Sequence, residues 1–153
     1  MFQRIVVPLD GSTVAEQALA DATELARLMD VPVHLLRVVD PYVSEHGSLT
    51  GMFVDEGAIA QAIREEEAIA RGYLEGVADR LSNAGSRVTI ETVRGHPDRA
   101  IVDRTVSGDL VAIASHGRGG LQRLLLGSVA EKVIRHAHTP VLLIRARPDE
   151  DEA

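Results

Sequence analysis

Apolar and polar positions along this chain switch between two periods, one of two residues and one near 3.6. Arg4-Ile5-Val6-Val7-Pro8-Leu9 is a short β-branched run, the pattern of a strand buried on both faces. Asp10-Gly11-Ser12-Thr13 interrupts it, and Thr13-x-x-Glu16 has the form of a helix capping box. Ala15, Ala18, Leu19, Ala22, Leu25, Ala26 and Met29 then recur at helical spacing, and Val33 to Val39 predicts a second buried strand. Residues 40–57 hold no period and carry turn formers, the kind of stretch that serves as a lid or partner surface. From Ala58 to Ala84 one helix face is apolar, with Gly85 at the expected stop. Arg87 to Val93 alternates as a strand near a sheet edge, and Pro97 opens a helix to about Val106. Leu110 to Ala114 predicts a fourth strand, Gly127 to Ala137 a helix and Val141 to Ile144 a fifth strand. Strands alternating with crossover helices predict an α/β fold, a doubly wound (Rossmann-like) parallel sheet of five strands.

With 153 residues and 45% hydrophobic content, the chain has the size of one domain. That domain is expected over residues 1–146, with the acidic end at 147–153 left as a solvated, disordered tail. The 16 basic and 23 acidic residues leave a net charge of −7. Such a surface repels phosphate backbones and anionic lipid, which argues against nucleic-acid and membrane partners. Aromatic content of 3%, without tryptophan, removes the stacking platforms of single-strand binders. The absence of cysteine excludes a thiolate metal site and thiol catalysis. The N-terminal apolar stretch is too short for a signal peptide, so a cytoplasmic location is expected.

The candidate chemistry concentrates in two places. Ser115-His116-Gly117-Arg118-Gly119-Gly120 follows a buried strand, and Gly127-Ser128 opens the next helix. Glycines there let backbone N–H groups approach an anion, and a helix N-terminus adds partial positive charge. Arg118 and Arg123 put cations in the same loop. The competing reading is a simple turn, with Ser128-x-x-Glu131 as a capping box. The second place is Pro8-Leu9-Asp10-Gly11, at the carboxyl end of the first strand. If strands one and four are neighbours, Asp10 faces the Gly117 loop across the crevice where open α/β sheets bind ligands. Asp10 would then contact a ribose hydroxyl or a phosphate-bound metal, or else cap its own turn. His34 and His46 have no evident partners, and His136 and His138 are spaced wrongly for one helix face. There is no P-loop, no complete dinucleotide fingerprint and no nucleophile elbow. No catalytic residue and no protein metal ligand is assigned.

Three blocks carry a resemblance: IVVPLDGS at 5–12, HLLRVVD at 34–40 and SHGRGGLQRLLLGSVAEKVIRHAHTPVLLI at 115–144. Over about residues 3–145 the sequence resembles the universal stress protein family. The resemblance implies strand order 3-2-1-4-5, the adenine nucleotide alpha hydrolase-like form of the fold. It also implies a homodimer joined through Val141 to Ile144. One branch of that family binds ATP through Gly-x2-Gly-x9-Gly-Ser/Thr. Gly117 and Gly127-Ser128 match it here, with Ala114 in place of the first glycine. The implied pocket comprises Pro8, Leu9, Asp10, Val38, Ala114, His116, Gly117, Arg118, Gly127, Ser128 and Val129. Val38 would meet the adenine edge through its main chain, Asp10 would lie near the ribose, and the glycine loop would hold the phosphates with Mg²⁺ upon them. The implied function is an ATP-binding stress-response module. The alternatives are an AMP or cyclic AMP receptor, a slow ATP hydrolase, and an interaction protein with an unidentified partner.

Overall fold

The computed structural model describes residues 1–41, 55–115 and 127–147. Its element order is β1 (Arg4–Pro8), α1 (Thr13–Glu16), α2 (Ala18–Met29), β2 (Val33–Val39), α3 (Glu56–Asn83), β3 (Val88–Arg94), α4 (Pro97–Arg104), β4 (Asp109–Ser115), α5 (Ser128–His136) and β5 (Val141–Arg145). The five strands form one parallel sheet in the order β3-β2-β1-β4-β5. The element types and the strand order are those expected, except that the first helix is divided at Gln17 into α1 and α2, and each outer boundary moves by no more than about two residues.

Because successive strand residues point to opposite faces, the sheet has two separate apolar layers. Ile5, Val7, Val33, Leu35, Leu110 and Ala112 meet α2 and α3 on one face. Val6, Leu36, Val93, Val111 and Ile113 meet α4 and α5 on the other. The three central strands are buried on both sides, which is why they read as unbroken apolar runs rather than alternating ones. The 28 residues of α3 make a rod about 42 Å long. Its buried positions, Ala70, Leu74 and Val77, all lie in the second half, so among the described residues that half carries the packing on the sheet.

Two capping expectations are corrected. Ser12, not Thr13, caps α1, its Oγ accepting from Ala15 N at 3.1 Å. Ser128 is the first residue of α5 rather than its cap, which is Gly127 at φ +75°, and Glu131 pairs with Arg135. A left-handed cap with no side chain needs glycine and leaves the first-turn amides without a side-chain acceptor from the cap.

His34, expected to lack partners, has two. Its Nδ1 lies 2.8 Å from Thr89 Oγ1 and its Nε2 3.1 Å from Glu91 Oε2, both on β3. Sequence distance hid this contact, because parallel pairing brings residues 55 and 57 positions apart into register. Arg104 also reaches Glu91, at 3.0 Å, and beside them Arg4 grips the buried Asp109 through two bonds of 2.8 and 2.9 Å. Burial and the Arg4 charge push the His34 imidazole below its ordinary pKa, against the pull of Glu91. This polar layer lies at the amino ends of the strands, opposite the candidate ligand site.

Among the described residues no helix is long and apolar enough to cross a membrane.

A candidate ligand cleft at the carboxyl ends of the strands

Strand order reverses direction between β1 and β4, and the helices that follow them, α2 and α5, pack on opposite faces of the sheet. A cleft of about 420 Å³ opens there, within the usual range of roughly 300–1,000 Å³ for small-molecule sites. Pro8, Leu9 and Asp10 form one wall, continued by Ser12, Val14 and Ala15 of the turn into α1. Gly127, Ser128, Val129 and Ala130, the opening turn of α5, form the facing wall together with Ala114. Leu36 and Val38 of β2, Pro97 and Ile101 of α4 and Ile113 of β4 line an apolar side.

Eight of the eleven sequence candidates therefore meet in one concavity: Pro8, Leu9, Asp10, Val38, Ala114, Gly127, Ser128 and Val129. His116, Gly117 and Arg118 lie outside the described residues, as do His46 and residues 42–54 of the aperiodic stretch. Sequence reasoning missed Ser12, Val14, Ala15 and Ala130, which adjoin the candidates in sequence, and Leu36, Ile113, Pro97 and Ile101, which do so only in space or as strand neighbours. Leu36, Ile113 and Ile101 had a sufficient role as core positions and Pro97 as a helix start, and no local signal separates an apolar residue that faces a helix from one that faces a cleft.

The turn after β1 shows how its carboxylate is held. Asp10 Oδ1 accepts from Ser12 N at 2.9 Å, closing a two-residue turn around Gly11, whose φ is +88°. The reading of Asp10 as the cap of its own turn holds: one oxygen organises the turn, and the residue also lines the cleft. Asp10 is the single acid or base among the described lining residues. The first turn of α5 supplies the opposite polarity. Its amides point out of the helix N-terminus, the end where an anion is stabilised.

Ala114 stands where the related glycine motif begins. It pairs with Ile144 inside β4, and the described non-glycine residues adopt no positive φ except at Asp30. Its methyl packs with the apolar layer on the α2 side. The strand therefore has no conformational need for glycine here. Among the described residues no cluster of three or more acids and histidines suits a metal ion, and His136 Nδ1 lies 2.8 Å from its own helix carbonyl at Lys132.

Comparison with known proteins agrees with this architecture. The sequence model of the universal stress protein family matches residues 1–145. Universal stress protein MJ0531 of Methanocaldococcus jannaschii is 35% identical over 150 residues, spanning 95% of this chain and 83% of that protein. The solved structure of MJ0577, from the same organism, superposes with a TM-score of 0.77 at 28% identity, covering 97% of this chain and 99% of the other. A universal stress protein solved in complex with cAMP shares the fold, with a TM-score of 0.67 at 24% identity over 94% of this chain and 97% of that one. The cleft thus sits on a fold whose sequence signature runs through nearly the whole chain, and the chain belongs to the universal stress protein family.

Proposed function

We propose that this protein is an adenine-nucleotide-binding module of a stress response, with ATP as its ligand, working as a homodimer through β5. The observation that carries the reading is the polarity of the cleft: an apolar side, one oriented carboxylate and an uncapped helix N-terminus in a single concavity. Val38, Pro97, Ile101 and Ile113 offer the flat apolar surroundings that a purine ring requires. Asp10 has one oxygen committed to Ser12, which aims its carboxylate and suits it to accept from a ribose hydroxyl. The amides of Ser128, Val129 and Ala130 would receive phosphate oxygens, and Arg118 and Arg123 would add charge from the adjoining loop. Mg²⁺, when bound, would neutralise the phosphates and be held mainly by them.

Binding rather than turnover is the activity proposed. Phosphoryl transfer needs a base positioned at the transferred group, and Asp10, the one carboxylate among the described lining residues, is assigned to the ribose. Lys132, the one lysine of the chain, lies on α5 beyond the cleft lining. The relative solved with cAMP supports an adenine ligand on this fold and makes a monophosphate the second reading. A dimer is supported by the exposed edge of β5 and the groove between it and α2. Leu28 is 65% exposed and Leu143 36% exposed there, and an apolar edge strand left open invites pairing.

The test is a thermal-shift titration of nucleotide-free protein with ATP, ADP, AMP and cyclic AMP, with and without Mg²⁺. A ligand at 100 times its Kd adds about 2.7 kcal/mol, a Tm rise on the order of 5–10 °C for a domain of this size. ATP giving the largest shift supports the proposal. A larger shift with cyclic AMP replaces it with the monophosphate reading, and no shift with any nucleotide overturns both.

A further inference from the structure

Arg37 is the next-to-last-but-one residue of β2 and points away from the cleft, on the face opposite its neighbour Val38. Its guanidinium forms no hydrogen bond or ion pair with the described residues, although the half-buried group carries a full charge. It lies instead over the Tyr73 ring, 5.3 Å from the centroid, and against the backbone of Gly11. A Cβ built on Gly11 would stand 2.6 Å from Arg37 Nη1. Tyr73 is itself fixed, its hydroxyl donating to Glu16 Oε1 at 2.7 Å, while Arg80 donates to the other Glu16 oxygen at 3.0 Å. Glu16 ends α1, the short helix whose first turn lines the cleft. The Asp10-to-Glu16 segment is thus held at both ends, by Arg37 of β2 at Gly11 and by Tyr73 and Arg80 of α3 at Glu16.

We infer that Arg37, seated on Tyr73, is a positioning residue for the ligand cleft. It props the Asp10-Gly11-Ser12 turn from behind and thereby sets where the Asp10 carboxylate stands. A cation stacked on an aromatic ring is laterally restrained and needs no partner anion, so the prop leaves Asp10 free of an ion pair that would compete with a ligand hydroxyl. Gly11 is required twice, for its left-handed backbone and for the space that Arg37 fills. The Tyr73 phenol, pushed well above its ordinary pKa by burial and by Glu16, remains a donor throughout the accessible pH range.

The part of this inference that concerns ligand selection rests on the nucleotide reading above, so the experiment separates the two. Amide hydrogen exchange is followed in ligand-free wild type, Arg37→Met and Arg37→Lys, and each protein is titrated with ATP and 2′-deoxy-ATP. Arg37→Met is expected to speed exchange at Ser12 and Ala15, the two amides bonded within the turn and cap, by about tenfold while Ile5 and Leu35 in the core are unchanged. Its preference for ATP over 2′-deoxy-ATP should fall about tenfold, the scale of one hydrogen bond to a charged group, and Arg37→Lys should recover part of both effects. Unchanged exchange at Ser12 and Ala15, or a uniform rise that includes Ile5 and Leu35, overturns the inference. If wild type binds neither nucleotide while the turn still loosens selectively, the nucleotide reading falls and the prop on the turn stands.

Discussion

Replacing Asp109 by asparagine removes the charge on which the polar layer at the amino ends of the strands depends. Asp109 is 1% exposed, at the start of a strand whose next five residues are all apolar. Its two oxygens accept from Arg4 Nε and Nη2 at 2.8 and 2.9 Å, and Oδ2 also accepts from Val106 N at 2.9 Å. Asparagine keeps one carbonyl oxygen, which at the Oδ2 position still accepts from Arg4 Nη2 and Val106 N, but its NH₂ is turned toward Arg4 Nε and the negative charge is gone. Breaking one side of a buried ion pair costs about 3–5 kcal/mol. The Arg4 side chain is 27% exposed and keeps a bond to Arg104 O, so it regains some solvation. That places the expected loss at or just below the lower limit of the range, about 2–3 kcal/mol, or a Tm lowered by roughly 5–10 °C. Calorimetry at pH 7 measures it, and the same scans in acid test its origin. Burial alone would push the Asp109 carboxyl up, but the Arg4 guanidinium and Val106 N–H outweigh it and hold it below its ordinary value. A depressed carboxyl contributes stability that is complete above its unfolded pKa of about 4 and is lost as pH falls through the folded value. The gap between wild type and Asp109→Asn should therefore be full at pH 7 and narrow below about pH 4. A variant that melts within about 2 °C of wild type at pH 7, under 1 kcal/mol for this size of domain, refutes the reasoning. So does a gap that keeps its size in strong acid.

Further outcomes follow from the same contacts. Because the His34 pKa is lowered, the unfolded chain takes up its proton first, and stability should decline as pH falls from about 6.5 toward the folded value. In His34→Gln that slope should flatten, and melting curves that stay parallel to wild type between pH 5 and about 7 would contradict the assignment. Gly11→Ala should cost about 1–2 kcal/mol from the left-handed backbone, with more from the Arg37 contact, as read in urea unfolding. Ala114→Gly should leave nucleotide affinity within about threefold, since 1.4 kcal/mol is tenfold and no bond is removed. The same change should destabilise by about 0.5–1 kcal/mol through the added freedom of a strand glycine, and a large gain in affinity would show that the methyl does obstruct the cleft. Leu143→Arg on the exposed edge of β5 should convert a dimer to monomer in sedimentation equilibrium without altering nucleotide affinity, whereas an unchanged mass would exclude this edge as the interface.

How much of this was legible in the sequence depended on whether the signal was local. Period-two and period-3.6 patterns report which face of an element is buried, so every strand and helix from Arg4 to Arg145 could be read to within a turn. Asp10-Gly11 and Gly127-Ser128 were visible because a left-handed backbone and a helix start leave their mark in adjacent residues. The capping assignments failed by one residue because serine and threonine compete for the same role, and only the φ of the preceding residue chooses between them. The 3-2-1-4-5 order came from likeness to a family rather than from any pattern within the chain.

Everything that joins distant segments was decided by the tertiary structure. Pro97 and Ile101 face Val38 and Ile113 across the cleft because α4 crosses the sheet there, and their sequence neighbours carry no trace of it. The burial of Asp109 is intelligible only once Arg4, 105 positions away, stands beside it. In the same way His34 finds acceptors only through the register of β2 on β3, and Arg37 meets Gly11 and Tyr73 only when α3 lies over the sheet. An apolar pattern specifies that a face must be covered, since removing it from water is favourable against almost any apolar partner. Which element covers it, and which polar groups are thereby brought within hydrogen-bond reach, is settled by the short-range geometry of the packed state.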